Sequence, residues 1–293
     1  MRVWLLNLDA ERELASSGPY QTPRRILATL EPWAERAARS LLAPGDVRLE
    51  QWQPSRSAAT TATGACWCPT PSALARLERA GLPLPHSPAP DVLRRVCHRQ
   101  FYVSLGGGAP GAQFLTESEP LERLLAERGS APWLFKRAFG FAGRGQRRMG
   151  ATLSADDRRW LADSLRLGGV LAEPWLELEL ELSLHGLIAR GGGVQLGRLC
   201  TQRTDAFRAW LSTELLAERA LPDAERRTLH ATAERVAEAL ARAGYHGPFG
   251  IDAYLWRSPS GAAVLNPLGE LNARYTMGYG VGMGLPASGD SAG

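Results

Sequence analysis

The stretch Trp133–Met149, WLFKRAFGFAGRGQRRM, contains Lys136, and no other lysine occurs in the 293 residues although Lys and Arg together number 34. Arginine is the default cation of this chain, so a single ammonium is informative. The run PWLFKRAF reads as a strand, and Gly140, Gly143 and Gly145 follow within a few residues. Glycines lack a Cβ and let the backbone approach a ligand closely. A strand lysine followed at once by such a turn can set an ammonium against one edge of a polyphosphate, with backbone N–H groups covering the other. Residue order excludes three familiar phosphate loops. A Walker loop needs Gly before its Lys and Ser or Thr after it, whereas Phe135 and Arg137 flank Lys136. A protein kinase places its glycine loop before its lysine and needs D-F-G, which is absent. The dinucleotide fingerprint leads into a helix, whereas GFAGRGQRRM leads into another strand. Alone, the stretch fits a surface hairpin with an incidental lysine equally well, so its partners decide.

Those partners are GIDAYL (250–255) and GELNARYTMG (269–278). Glu270 and Asn272 are two apart, so on a strand both side chains face one way, and both offer the hard oxygen donors that Mg²⁺ prefers. Asp252 on the preceding strand can complete the set, and Arg274 continues the face at i+4. A tight turn at 258–261 would pair Asp252 with Pro267, eighteen positions separating Asp252 from Glu270. Bringing both to one metal needs a looser loop or a bulge near NPLG.

Together these residues resemble the ATP-grasp superfamily of carboxylate-amine ligases, over about Arg99 to Met277. The resemblance implies an α/β (α+β) fold in which two lobes clamp ATP, preceded by a small α/β domain: residues 1–97, 98–170 with the glycine-rich loop, and 171–293 with the metal site. It implies that Lys136 contacts the α and β phosphates and that the loop bearing Gly140, Gly143 and Gly145 covers the triphosphate. VLAEPWLELELELS resembles the hinge, with Glu173, Trp175 and Leu176 bordering adenine and Glu181 holding the ribose hydroxyls. ELNAR resembles the family's E-x-N-x-R, making Asp252, Glu270 and Asn272 the magnesium ligands and Arg274 the group that steadies an acyl phosphate. Arg99 resembles a phosphate-reaching basic residue at the entrance to the small lobe, and Arg203 a second one. The implied cofactors are ATP and two Mg²⁺ ions, with Mn²⁺ as a substitute. The implied reaction activates a carboxylate as an acyl phosphate and joins it to an amine, with amino acids or peptides as candidate substrates. RYTMG stands where many members have proline, so the substrate class does not carry over. A grasp-fold phosphotransferase and a non-catalytic ATP-binding module stay open as alternatives.

The bulk numbers agree with a multi-lobed enzyme. At 293 residues, with 44% hydrophobic and 22% charged, the chain can bury ample core and is not disordered. The net charge of +4 is spread over arginines interleaved with acids, which argues against nucleic acid. The apolar run Val3–Leu6 is too short for a signal-peptide core or membrane span. It reads as a buried first strand, and the expectation is a cytoplasmic protein, with a homodimer compatible.

Cys66, Cys68, Cys97 and Cys200 contain no C-x-x-C pair and read as reduced thiols. Thr22 and Pro23 open a helix, GDVRLEQWQ alternates like a second strand, and prolines 83–90 mark a boundary. Ser154 with Asp157 opens another helix. Leu and Glu alternate from Leu176 to Leu184 as in a half-buried antiparallel strand, leaving Glu177 and Glu179 in solvent. His98, His185, His230 and His246 read as structural.

Overall fold

In the computed structural model, which describes residues 1–53, 62–141, 144–205 and 209–285, thirteen strands fall into three sheets. The first holds β1 (Arg2–Leu5), β2 (Val47–Arg48) and β3 (Thr63–Cys66), all parallel, in the order β2-β1-β3. The Val3–Leu5 run is fully buried, as the uninterrupted apolar stretch requires. Two helices follow β1: α1 (Ala10–Ala15) and α2 (Arg24–Leu41). Two expectations need correction here. Thr22 is not the cap of α2; Pro23 precedes its first residue and no side chain caps it. GDVRLEQWQ is not a full strand, because after Arg48 the chain winds into a single tight turn, Leu49–Gln51. The segment after β3 carries α3 (Pro71–Arg79), α4 (Pro90–Cys97) and α5 (Arg99–Val103), with α4 opening on the last proline of the expected boundary.

The second sheet contains β4 (Gln113–Leu115), β5 (Trp133–Phe141), β6 (Arg144–Met149) and β7 (Val170–Pro174), antiparallel in the order β4-β7-β5-β6. It extends to residue 174, past the division at 170 expected from sequence. Helices α6 (Ser118–Glu127) and α7 (Ala155–Arg166) cover it, burying Phe135, Met149, Trp160, Leu161 and Val170. At the start of α7 the Ser154 side chain accepts the Asp157 N–H and the Asp157 carboxylate accepts the Ser154 N–H, as the sequence pattern predicts.

The third sheet is the largest: β8 (Leu178–Ile188), β9 (Val194–Leu196), β10 (Cys200–Thr204), β11 (Trp210–Leu215), β12 (Gly247–Arg257) and β13 (Ala263–Asn272), in the order β11-β10-β8-β12-β13 with β9 beside β8. The stretch VLAEPWLELELELS is thus split. Val170–Pro174 pairs in the second sheet, 175–177 cross over, and only from Leu178 does the run join the third. Glu177 and Glu179 are exposed, as expected. Helix α8 (Asp223–Arg242) packs on this sheet, and α9 (Tyr279–Met283), the last described helix, packs against α2 and β11. The four cysteines are unbridged. Among the described residues no helix is long and apolar enough to cross a membrane.

Candidate active site

Strands of the second and third sheets face each other across a cleft of about 200 Å³, bordered by Arg99, Lys136, Gly140, Glu181, Asp252, Glu270, Asn272 and Arg274. Residues 134 positions apart meet there. The Lys136 Nζ lies 2.7 Å from Glu173 Oε2 and 3.7 Å from Glu270 Oε2. Arg99, the first residue of α5, reaches the other oxygen of Glu270 at 2.6 Å and is fixed by donating from Nε to the Arg137 carbonyl at 2.9 Å. Helix α5 can start there because the preceding His98 ring accepts the Gln100 N–H.

Asp252 and Glu270 stand opposite each other on β12 and β13. The tight 258–261 turn is present, with Ser258 N–H to Ala262 O and Gly261 N–H to Ser258 O. Pairing runs regularly from Arg257–Ala263 to Tyr254–Asn266, then shifts, so that Pro267–Gly269 bulge out and Asp252 meets Glu270. The irregularity expected near NPLG is therefore where the spacing demanded it. Its backbone is satisfied across the molecule: the Leu268 carbonyl accepts Gly108 N–H, and Asn266 donates from Nδ2 to Gly108 O and accepts Leu268 N–H.

The two facing carboxylates are driven apart electrostatically. Burial would raise Glu270, but Arg99 and Lys136 more than reverse this and hold it at about 2. Burial, reinforced by the charge of Glu270, pushes Asp252 up to about 7, against the pull of its Gln202 hydrogen bond. Asp252 accepts Gln202 Nε2 at 2.6 Å and Asn272 Nδ2 at 3.1 Å. The Asn272 amide thereby turns its nitrogen to Asp252, leaving its oxygen as a ligand atom for a metal. Asp252, Glu270 and Asn272 form an all-oxygen set of the type Mg²⁺ takes, which fits the metal that the sequence pattern implies. No group of three His, Cys, Asp or Glu side chains forms a metal cluster among the described residues, so Asn272 is needed to complete the set.

The remaining expected residues divide. Glu181 borders the cleft and accepts Thr204 Oγ1 at 2.5 Å. Glu173 does not border it; it is buried, its Oε1 accepting Ala109 N–H at 3.0 Å and its Oε2 holding Lys136. Trp175 and Leu176 lie in the crossover, outside the cleft lining, with Arg148 4.4 Å above the Trp175 ring. Gly145 adopts φ +78°, closing the hairpin beside Gly140, without bordering the cleft. Gly143 lies outside the described residues. Arg203 is exposed on the face of β10 opposite to Gln202 and Thr204, which do border the cleft. Arg274 does not continue β13, which ends at Asn272; its buried Nε pairs with Glu11 from α1, and its guanidinium lies 5.4 Å over the Trp67 ring.

Sequence reading missed Glu11 and Gln202. Gln202 was legible in principle, since it shares a strand face with Thr204. His185 is buried in the cleft wall between Ser183 Oγ at 3.1 Å and Thr276 Oγ1 at 3.0 Å, and burial lowers it to about 4, so it stays neutral and structural as expected. Glu11 had no local signal, being one acid among several after β1.

No protein-family model and no curated protein sequence matches this chain. Solved structures do. An ADP complex of N5-carboxyaminoimidazole ribonucleotide synthetase superposes with a TM-score of 0.51 at 16% identity, over 78% of this chain and 59% of that one. The same enzyme from Thermus thermophilus gives 0.52 at 20% identity, over 94% and 72%. Biotin carboxylase from Campylobacter jejuni, in a beta-gamma-ATP complex, gives 0.52 at 16% identity, over 74% and 53%. The chain thus spans between about half and three quarters of the length of these proteins. The sheet order, the cleft and these superpositions together establish that this chain has the ATP-grasp fold.

Proposed function

We propose that this protein is an ATP-dependent carboxylate-amine ligase, acting on small-molecule acids and amines. The observation that carries the reading is the convergence of Lys136, Arg99 and Glu270 within 3.7 Å in one cleft, from strands and a helix far apart in sequence. Structural cations have no need to gather beside paired carboxylates in an open cleft, whereas a bound triphosphate needs both.

In this reading Lys136 and Arg99 pass from their carboxylate partners to the phosphate oxygens, and Glu181 orients the ribose. Asp252, Glu270 and Asn272 hold Mg²⁺, which supplies counter-charge to the phosphates when bound. The substrate carboxylate attacks the γ-phosphorus, giving an acyl phosphate and ADP. Arg274 borders the same cleft and in this reading steadies the negative charge that develops on the acyl phosphate. The amine nitrogen then attacks the acyl carbon, the C–O bond to phosphate breaks, and amide and phosphate are released.

The test is ADP release across a panel of carboxylates and amines, starting with amino acids and short peptides, with the product identified by mass spectrometry. Lys136→Met and Glu270→Gln should each lower turnover about a hundredfold or more. Full turnover in either variant overturns the mechanism, and a phosphorylated acceptor in place of an amide assigns phosphotransfer instead.

A further inference from the structure

Two of the four cysteines meet beside the cleft, and the ligase chemistry uses neither. Cys68 follows β3, is fully buried, and its thiol is hydrogen-bonded to that of Cys97, the last residue of α4. Both flank one short segment of chain. The Cys97 Sγ donates to the Ala273 carbonyl at 3.7 Å, and the Tyr275 N–H donates to the carbonyl of Trp67, the neighbour of Cys68, at 3.2 Å. The two sulfurs differ in freedom and access. The Cys68 backbone is pinned by Asn7, whose side chain donates to its carbonyl at 2.8 Å and accepts its N–H at 3.2 Å. The hydrogen bond to Cys97 and burial raise the Cys68 thiol well above its ordinary value, so it stays protonated and is a poor first nucleophile. Cys97 is half-buried and stands at a helix end. It borders a cavity of about 10 Å³ with Arg99, Gly140, Glu270 and Asn272, residues that also line the cleft. That is room for about one oxygen-sized group against the sulfur.

We propose that Cys68 and Cys97 are a reversible redox pair, a modification site that a small hydroperoxide closes into a disulfide. The inference goes beyond the ligase reading and does not require it. The Cys97 sulfur attacks one peroxide oxygen, the O–O bond breaks, and the thiol proton leaves with the departing oxygen: R–SH and HO–OH become R–S–OH and water. The Cys68 sulfur then attacks the sulfenic sulfur, the S–O bond breaks, and the Cys68 proton leaves with the hydroxyl as a second water. The two thiols together give up two electrons, and one peroxide is reduced. A disulfide bond is about 2.05 Å long, so the Cys97 sulfur leaves the Ala273 carbonyl and moves onto Cys68, whose backbone is fixed. Arg99 stands two residues beyond Cys97, so closing the bond shifts the guanidinium that holds Glu270.

The test uses the full chain, reduced and then exposed to an equimolar amount of hydrogen peroxide, with the remaining thiols counted by alkylation in denaturant. Two of the four thiols should be lost, the mass should fall by two hydrogens, and dithiothreitol should restore all four. Tryptic mapping should join Val96–Arg99 to the peptide that carries Cys68. That peptide also carries Cys66, so variants assign the bond. Cys66→Ala/Cys200→Ala, which keeps the pair, should crosslink as the parent does, and Cys97→Ala should not. Four thiols surviving peroxide in the parent overturn the proposal. So does a sulfinic acid at Cys97 without a crosslink, or a crosslink that Cys66→Ala/Cys200→Ala lacks. Calorimetry reads the effect on the cleft: MgADP should bind the crosslinked form about fivefold or more weakly than the reduced form. Equal affinities overturn the shift of Arg99. Absence of MgADP binding by the reduced form sinks the ligase reading, while the thiol count still decides the redox pair.

Discussion

Lys136 Nζ sits 2.7 Å from Glu173 Oε2, and both side chains are at least nine-tenths buried. Glu173, expected to border adenine, is instead the counter-ion that aims the only lysine of the chain into the cleft. Its second oxygen is spent on the Ala109 N–H, so the carboxylate cannot swing away. Removing one partner of a buried pair strands the other charge, which costs about 3–5 kcal/mol. Glu173→Ala should lose that much stability in urea denaturation, and the double variant Lys136→Met/Glu173→Met should lose clearly less than the two single variants added together. A loss under about 1 kcal/mol in Glu173→Ala would show that the pair is not held as described.

The Asp252 carboxyl, pushed up to about 7 by burial and by Glu270, makes the metal-free protein sensitive to pH. Its folded-state value exceeds the ordinary 3.8, so between pH 4 and 7 the unfolded chain gives up this proton before the folded one does. Stability from this group therefore falls as pH rises through that window and levels off above it. Asp252→Asn removes the titration. Without metal it should be more stable than the parent at pH 8, by on the order of 1–3 kcal/mol, with the advantage gone near pH 4. Unfolding curves at the two pH values decide; a constant difference contradicts the assignment. Glu270, held at about 2, works in the opposite sense, stabilising above pH 4.5 and losing that contribution only as pH falls toward 2.

Helix α9 lies directly against the backbone of α2. A Cβ on Gly280 of α9 would lie 1.7 Å from the Ser40 carbonyl oxygen in α2. No rotamer relieves a clash with main chain, so Gly280→Ala should cost about 3 kcal/mol, at or beyond the upper end of overpacking losses. Gly191→Ala, where a Cβ meets nothing within 4 Å and φ is ordinary, should be neutral within about 0.5 kcal/mol. Equal stability of the two variants would mean that α9 does not pack on α2 this closely.

What could be read beforehand was whatever depends on local spacing. Glu270 and Asn272 share a face because strands alternate, and Ser154 caps α7 because of the acid three positions on. Even the bulge at Pro267–Gly269 followed from counting residues around the 258–261 turn. Where two distant segments meet, spacing is silent. Nothing near Glu11 marks it as the partner of Arg274, 263 positions away, and nothing in ELNARY announces that β13 stops at Asn272. The division at 170 missed β7 for the same reason, since nothing local in VLAEPWLELELELS marks that Val170–Pro174 pairs in one sheet and the residues from Leu178 in another.

Arg203 shows how far a single residue of register matters. Successive side chains of a strand point to opposite faces, so Gln202 and Thr204 face the cleft and Arg203 faces solvent. Gln202 alone among these donates to Asp252, from Nε2 to Oδ1 at 2.6 Å, and Thr204 holds Glu181. Arg203→Ala should therefore leave kcat and the KM for ATP within about twofold, as expected of a surface change. Gln202→Ala removes a hydrogen bond to a carboxylate and should cost about 10-fold or more in kcat/KM, since such bonds contribute roughly 1.5–3 kcal/mol. If Glu181 orients the ribose as proposed, Glu181→Ala should act chiefly on the KM for ATP, with GTP and ATP affected alike. Steady-state kinetics of the three variants separate these roles, and a large loss in Arg203→Ala with none in Gln202→Ala would place β10 one residue out of register.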